Sequence, residues 1–341
     1  MIKEICVIGH PSKLGGADTE LDHQIRLWRM MDIDVYICHT SGYDDNCKRM
    51  RAEMESIGCK YIESKSWKDL GGFHTISFCN GQFLENIEEI KKYAKSSTFV
   101  NCMTWNFNKE LEAHKKGLID FYLYQTQHQF DKVSIKLKDI NSANYRPLFF
   151  NPYFHRECFP FVERKNNDSF KFGRISRGDA DKYGGRQIWI WETMTAPVLK
   201  SGIVLGWDHR AEKKLGKLPP YVYGLKEGEI TQQDFYKDCD VLIMTTDTFE
   251  NLPRVGFEAM SSGSVLVVDN RGGWKVLVED GKTGWLCNDD REFVYKGSRS
   301  AFEINETNEI RHKAKDKLEN EWGKESSMKC WEKIFHEWSK L

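Results

Sequence analysis

The run 246-TDTFENLPRVGFEAMSSGSVLVVDNRGG-273 reads as loop, helix, strand and glycine turn. An apolar segment, Val241–Met244, leads into it, and a second, Val265–Val268, lies within it. Short apolar runs bounded by polar residues and glycine predict buried strands. Between them Pro253 stands where a helix can start without missing its N–H, and Gly263 where one can stop. Glu250 then falls in the loop beside the helix N-terminus. Glu258, after seven intervening residues, falls about a turn and a half inside the helix. Gly272 and Gly273 form the turn after the second strand. Acidic side chains, helix N–H donors and a glycine turn thus collect at the carboxyl ends of parallel strands, where open α/β sheets bind ligands.

The chemistry of these groups suits a nucleotide-sugar. A carboxylate accepts from both hydroxyls of a vicinal diol, so one glutamate fits a ribose and another a hexose. Glycine N–H groups and a helix N-terminus favour a diphosphate between them. The plainer reading makes both glutamates surface residues of an amphipathic helix. Pro253, Gly263, the flanking strands and the Gly-Gly loop favour a site.

Outward from this unit the same rhythm repeats. Ile5–Ile8, Val35–Cys38, Ile76–Cys79, Phe99–Met103 and Phe121–Tyr124 predict strands. Helical periodicity covers 17–31, 44–57, 85–93 and 130–137. That alternation predicts a parallel sheet covered on both faces. The Pro- and aromatic-rich segment 146-RPLFFNPYFHRECFPF-161 breaks it and marks the domain crossing; the polar stretch 163-ERKNNDS-169 follows. Lys171–Ile175, Ile203–Gly206 and Tyr221–Gly224 restart the strands, with helices over 187–195 and 231–237. The expected organisation is α/β, with two Rossmann-like domains facing a central cleft. The tail from Glu306 onward is expected to be helical, Trp331, Phe335 and Trp338 marking one apolar face.

The motif stretch resembles the signature of family 4-type retaining glycosyltransferases of GT-B architecture. The matching positions are Glu250, Asn251, Leu252, Pro253, Glu258, Ala259 and Met260, then Gly272, Gly273 and 278-VEDGKTGWL-286; Asn251 stands where the family often has Gly. The resemblance implies that Glu250 orients the donor sugar and Glu258 the ribose. A second resemblance lies in 172-FGRISRGDADKYGG-185, similar to the family's Gly-Arg turn with a following lysine. It implies that Arg174 and Lys182, with Arg177 in reserve, neutralise the donor diphosphate, a task for which guanidinium and ammonium groups are suited. In 9-GHPSKLGGADTELDHQIRLW-28 the family's Gly-Gly loop corresponds to Gly15 and Gly16, although Asp18 or Thr19 there can simply cap a helix. The implied domains are 1–152, joined by a last helix over 323–341, for the acceptor and 153–322 for the donor. The co-substrate implied is a UDP-sugar, with no cofactor and no metal, and transfer retains configuration through front-face attack.

Asp179-x-Asp181 has the form of a metal-binding pair in another glycosyltransferase architecture, but two short acids in a turn usually just form the turn. The histidine that many relatives carry after a mid-sheet strand is absent: 99-FVNCMTWNFNK-109 has Thr104 and Trp105. His10, His74 and His128 are the substitutes considered, and Trp105, Asn106 and the 124–129 turn the acceptor contacts. The acceptor stays open among a glycan, a lipid-linked saccharide, a small metabolite and a hydroxylated DNA base of phage type. A nucleotide-sugar epimerase, a sugar phosphorylase and a non-catalytic binding protein are the alternatives.

Composition bounds the rest. The chain's 341 residues are enough for two domains. Its net charge of −1 gives no global pull toward nucleic acid or anionic lipid. No apolar run approaches the ~18 residues of a membrane span, and 132-KVSIKLK-138 carries too few charges for a stable membrane anchor. The start has no signal-peptide form. Ten scattered cysteines without a C-x-x-C pair read as small buried hydrophobes of a reducing, cytoplasmic compartment. The ten histidines show no zinc-ligand spacing.

Overall fold

The computed structural model of the chain describes residues 2–13, 15–40, 45–63, 66–164 and 168–341, the side chains of 45–47 excepted. The described residues divide into two compact units, 1–154 with 321–341, and 155–320.

In the first unit β1 (Glu4–Gly9), α1 (Gly16–Met30), β2 (Asp34–His39), α2 (Asp45–Ser56), β3 (Lys60–Tyr61), β4 (His74–Phe78) and α3 (Gly81–Lys91) follow one another. Then come β5 (Ser96–Val100), α4 (Asn108–Lys115), β6 (Phe121–Tyr124), α5 (Gln127–Asn141) and β7 (Pro147–Phe149). The strands form one parallel sheet in the order β3-β2-β1-β4-β5-β6-β7. Both faces are buried, so the strands read as continuous apolar runs. Ile5, Val7, Val35 and Ile37 pack in one core; Cys6, Ile8 and Cys38, pointing the other way, pack in a second.

The second unit holds β8 (Ser169–Ile175), α6 (Gln187–Thr193), β9 (Leu199–Leu205), α7 (His209–Leu215), β10 (Val222–Leu225), α8 (Gln232–Lys237) and β11 (Val241–Met244). It continues with α9 (Arg254–Ser262), β12 (Val265–Asp269), α10 (Trp274–Leu277), β13 (Trp285–Cys287) and α11 (Asp290–Phe302). Its six strands are parallel, in the order β10-β9-β8-β11-β12-β13. The predicted α/β class and twin parallel sheets are present.

Helix α12 (Ile304–Trp322) runs from the second unit into the first, and α13 (Lys324–Trp338) belongs to the first. The tail expected to be helical is two helices, broken at Gly323, which caps α13 in an extended conformation, and α13 falls within the last helix expected over 323–341. The apolar face of α13 is seated on α1: Trp331 meets Trp28 edge-on at 4.8 Å and its indole N–H donates to Gln24 Oε1 at 2.9 Å. Trp338 stacks on His74 at 5.9 Å.

Other boundaries differ for local reasons. β5 ends at Val100, because Asn101 turns the chain by accepting from the Met103 N–H with its side chain. Cys102 consequently lies beyond β5, and Cys79 lies just beyond β4, which ends at Phe78, with φ +46. Helix α2 starts at Asp45; residue 44 of its expected span, 165–167 of the polar stretch and 14 of the first glycine loop lie outside the described residues. Among the described cysteines none forms a disulfide, and no described helix is long and apolar enough to cross a membrane.

Candidate active site at the switch point of the second sheet

In the second sheet the chain runs outward from β8 through β9 to β10, then returns to place β11 on the other side of β8. The order reverses between β8 and β11, and the crevice at the carboxyl ends of two such strands is where doubly wound sheets bind ligands. The loops leaving these strands are 176–184 and 245–253, the two stretches singled out from sequence.

They are joined by one ion pair: Lys182 Nζ donates to Glu250 Oε1 at 2.8 Å, both side chains half-buried. Lys182 sits on a single 3-10 turn, Ala180–Lys182, whose position is fixed from several sides. Lys214 donates to the carbonyls of Ala180 and Tyr183 and pairs with Asp247 at 2.5 Å. Asp247 N–H in turn donates to the Asp181 carbonyl at 3.1 Å. A side chain at Gly184 would overlap the Thr245 hydroxyl, and the Gly184 N–H donates to the Thr245 carbonyl at 3.0 Å. The two loops are therefore one packed structure.

Arg174, expected at the donor diphosphate, lies in the interior of the second unit. It is 0% exposed. Its guanidinium donates to Gln187 Oε1 at 2.9 Å and to the Lys182 carbonyl, and lies 4.2 Å from the centre of the Tyr183 ring. Burial lowers its pKa, opposed chiefly by Tyr183. Arg174 thus braces the Lys182 turn through the Lys182 carbonyl. Arg177 is the outward-facing arginine, with a side chain 65% exposed and 3.3 Å from Asp179. Asp179 also receives Arg210 at 2.5 Å. Its carboxylate is thereby engaged by two guanidinium groups and makes no cap hydrogen bond to the turn.

The helix after Glu250 begins one residue later than expected. Pro253 is the N-cap, with ψ 117, and Arg254 is the first helical residue; Gly263 ends α9 in the left-handed conformation at φ +80. Asn251, Leu252 and Pro253 are all buried, so their side chains build the loop. Gly272 and Gly273 pack directly on it. A Cβ on Gly273 would overlap the Asn251 carbonyl oxygen, Gly272 has φ +57 against the Glu250 carbonyl, and the Gly273 N–H donates to Glu250 O at 2.9 Å. These glycines allow close loop–loop approach, and the Gly273 N–H is bound to the Glu250 carbonyl.

Glu258 is 2% exposed on α9. Tyr236 Oη lies 3.1 Å from its Oε2. Burial pushes the Glu258 carboxyl up to about 7, opposed by the nearby Arg254 charge and the Tyr236 hydroxyl.

In the first unit the order reverses between β1 and β4, and the loop carrying Gly15 and Gly16 leaves β1 there. Gly15 has φ +83 and its carbonyl accepts from Thr19 N and Oγ1 at 3.0 and 2.6 Å. Asp18 is not the N-cap; burial raises its carboxyl to about 6. His10, just beyond β1, and His39, ending β2, meet at 2.5 Å between ring nitrogens. His74 is buried against Ser96 and Trp338. Trp105 is 56% exposed in the loop after β5.

Sequence reading missed Tyr236, Gln187, Lys214 and Asp269. Asp269 Oδ2 accepts from Thr246 N at 2.9 Å and so braces the Glu250 loop. These residues reach the site from neighbouring elements, and no local spacing announces them.

Residues 228–317, about a quarter of the chain, match the family of glycosyl transferases group 1. A 54-residue stretch is 37% identical to spore coat protein SA of Bacillus subtilis (strain 168), covering 16% of this chain and 14% of that protein's length. The whole fold is similar to that of Alr3699/HepE of Anabaena solved with UDP-glucose, at TM-score 0.71 and 14% identity over 99% of this chain and 100% of that one. It is also similar to TarM, at TM-score 0.77 and 13% identity over 98% and 99% of the two chains. The twin parallel sheets with their flanking helices are thus the GT-B fold.

Proposed function

We propose that the protein is a retaining, family 4-type glycosyltransferase that moves a sugar from a UDP-sugar to an acceptor hydroxyl. The observation that carries this reading is the meeting of Lys182 and Glu250 at the switch point of the second sheet, with Glu258 behind them on α9. The match of residues 228–317 to group 1 glycosyl transferases supports it. So does the similarity in fold to a protein solved with UDP-glucose.

In this reading the second unit holds the donor. Glu258 accepts from the ribose diol and Glu250 orients the sugar. Lys182 turns from Glu250 to the diphosphate and neutralises charge as the bond from the anomeric carbon to the phosphate oxygen breaks. The acceptor oxygen bonds to the anomeric carbon on the same face, and its proton passes to the departing diphosphate. Arg177 supplies a second, mobile charge, while Arg174 fixes the turn that carries Lys182. The first unit takes the acceptor, with Gly15, Gly16 and Trp105 near it. We place the protein in the cytoplasm, its reaction independent of metal. The acceptor is a glycan, a lipid-linked saccharide or a hydroxylated base.

The test is a donor-consumption assay across UDP-, ADP- and GDP-sugars, followed by NMR of the product's anomeric proton. Consumption of a UDP-sugar with α-donor giving α-product supports the reading. Inverted product, or epimerised donor without any acceptor, contradicts it.

A further inference from the structure

Tyr236, on α8, is fully buried, and its hydroxyl reaches α9. The hydroxyl has one proton and two acceptors in reach, the Val255 carbonyl at 3.0 Å and Glu258 Oε2 at 3.1 Å. Within α9 the Val255 carbonyl also faces the N–H four residues on. A carboxylate is the stronger acceptor of the two. The phenol is held rigidly: its ring meets Phe159 at 5.9 Å and Phe235 at 5.0 Å. Its backbone carbonyl accepts from Arg164 at 2.6 Å. Ser261 Oγ, one turn beyond Glu258, donates to the Phe159 carbonyl at 2.7 Å and ties that aromatic to the same helix.

We infer that Tyr236 is a positioning residue, which fixes the plane and charge of the Glu258 carboxyl so that it can accept from a ribose diol. This rests on the donor-site reading above. A glutamate side chain on a helix has three rotatable bonds, and tying Oε2 to a rigid phenol removes most of that freedom before a ligand arrives. The hydroxyl also favours the ionised carboxyl against burial, which alone would protonate it. An ionised carboxylate has lone pairs for two sugar hydroxyls as well as for the phenol. Neither effect is visible in the Glu-x7-Glu spacing, because Tyr236 lies 22 positions upstream on another helix.

The experiment compares Tyr236→Phe and Glu258→Gln with the unaltered protein by calorimetry. The probes are uridine, adenosine and guanosine diphosphates and the 2′,3′-dideoxy analogue of whichever binds tightest. Phe fills the cavity that Tyr236 leaves, so the fold is retained. Tyr236→Phe is expected to weaken the ribonucleotide about tenfold, in line with loss of a hydrogen bond to a charged group, and the dideoxy analogue by less than twofold. Glu258→Gln should discriminate in the same direction. Equal weakening of both nucleotides in Tyr236→Phe, or none, overturns the positioning role while Glu258→Gln still discriminates. Failure of Glu258→Gln to discriminate, or of every nucleotide to bind, overturns the donor-site reading itself and this role with it.

Discussion

Lys182 Nζ lies 2.8 Å from Glu250 Oε1, and this pair joins the loop leaving β8 to the loop leaving β11. In the proposed reading each partner holds the other where donor groups arrive. Replacing Lys182 by Ala should lower turnover on the order of 10²–10³-fold, as for loss of one preorganised donor at a site of developing charge. Glu250→Ala should also cut turnover while leaving the affinity for bare UDP nearly intact. Steady-state rates and calorimetry on the two variants check this; unchanged turnover in both removes the pair from the reaction.

Arg174 and Arg177 should separate cleanly. Arg174→Met leaves the Lys182 carbonyl without the Arg174 donor and Gln187 Oε1 with the long Thr245 N–H bond of 3.4 Å, and a buried orphan costs about 1–3 kcal/mol. A clear fall in the urea midpoint is expected, accompanied by reduced turnover as the Lys182 turn loosens. Arg177→Ala, on an exposed side chain, should change stability by no more than about 0.5 kcal/mol. A stable Arg174→Met protein would contradict the placement.

Glu258 should leave a signature in stability against pH. Its folded carboxyl titrates at about 7, above the ordinary 4.5. The folded state then binds the extra proton between those values, so the contribution to stability is full below about pH 4.5 and lost as pH rises through about 7. The amount lost is on the order of 3 kcal/mol. Glu258→Gln carries no such titration, and its urea midpoint should change less across that window than the unaltered protein's. Identical pH profiles would show that Glu258 titrates normally.

Asp179 accepts from Arg210 and lies beside Arg177, and Asp181 shares only its turn. Asp179→Asn and Asp181→Asn should therefore cost little turnover, and chelator should leave donor consumption unchanged. Activity that vanishes with chelator and returns with Mn²⁺ would make the Asp-x-Asp turn the catalytic centre.

The fold was legible in sequence because both sheets are parallel and buried on both faces, so their strands stand out as short apolar runs between helices. Val241–Met244 and Val265–Val268 were placed almost to the residue. Several elements are not marked in the sequence reading: α7 is short and charged, β3, β7 and β13 have two or three residues each, α4 and α10 are short, and α11 is missed despite its thirteen residues. In the site, the stretch holding Glu250 and Glu258 announced itself through Pro253 and Gly263. The directions of side chains did not. Arg174 lies in the predicted strand and Arg177 beyond it, but only the packing shows that the Arg174 guanidinium is turned to Gln187 and the Lys182 carbonyl while Arg177 is exposed. Gly272 and Gly273 looked like anion ligands, but the Asn251 and Glu250 carbonyls against them explain their lack of side chains. Long-range packing decides such matters, and Tyr236 is the clearest case.

The most direct test of a donor site between β8 and β11 is a crystal structure with bound UDP-sugar. The account predicts the diphosphate within hydrogen-bonding distance of Lys182, which has left Glu250, and the ribose hydroxyls on the Glu258 carboxyl. A nucleotide bound elsewhere in the second unit, with the Lys182–Glu250 pair still closed, would contradict it.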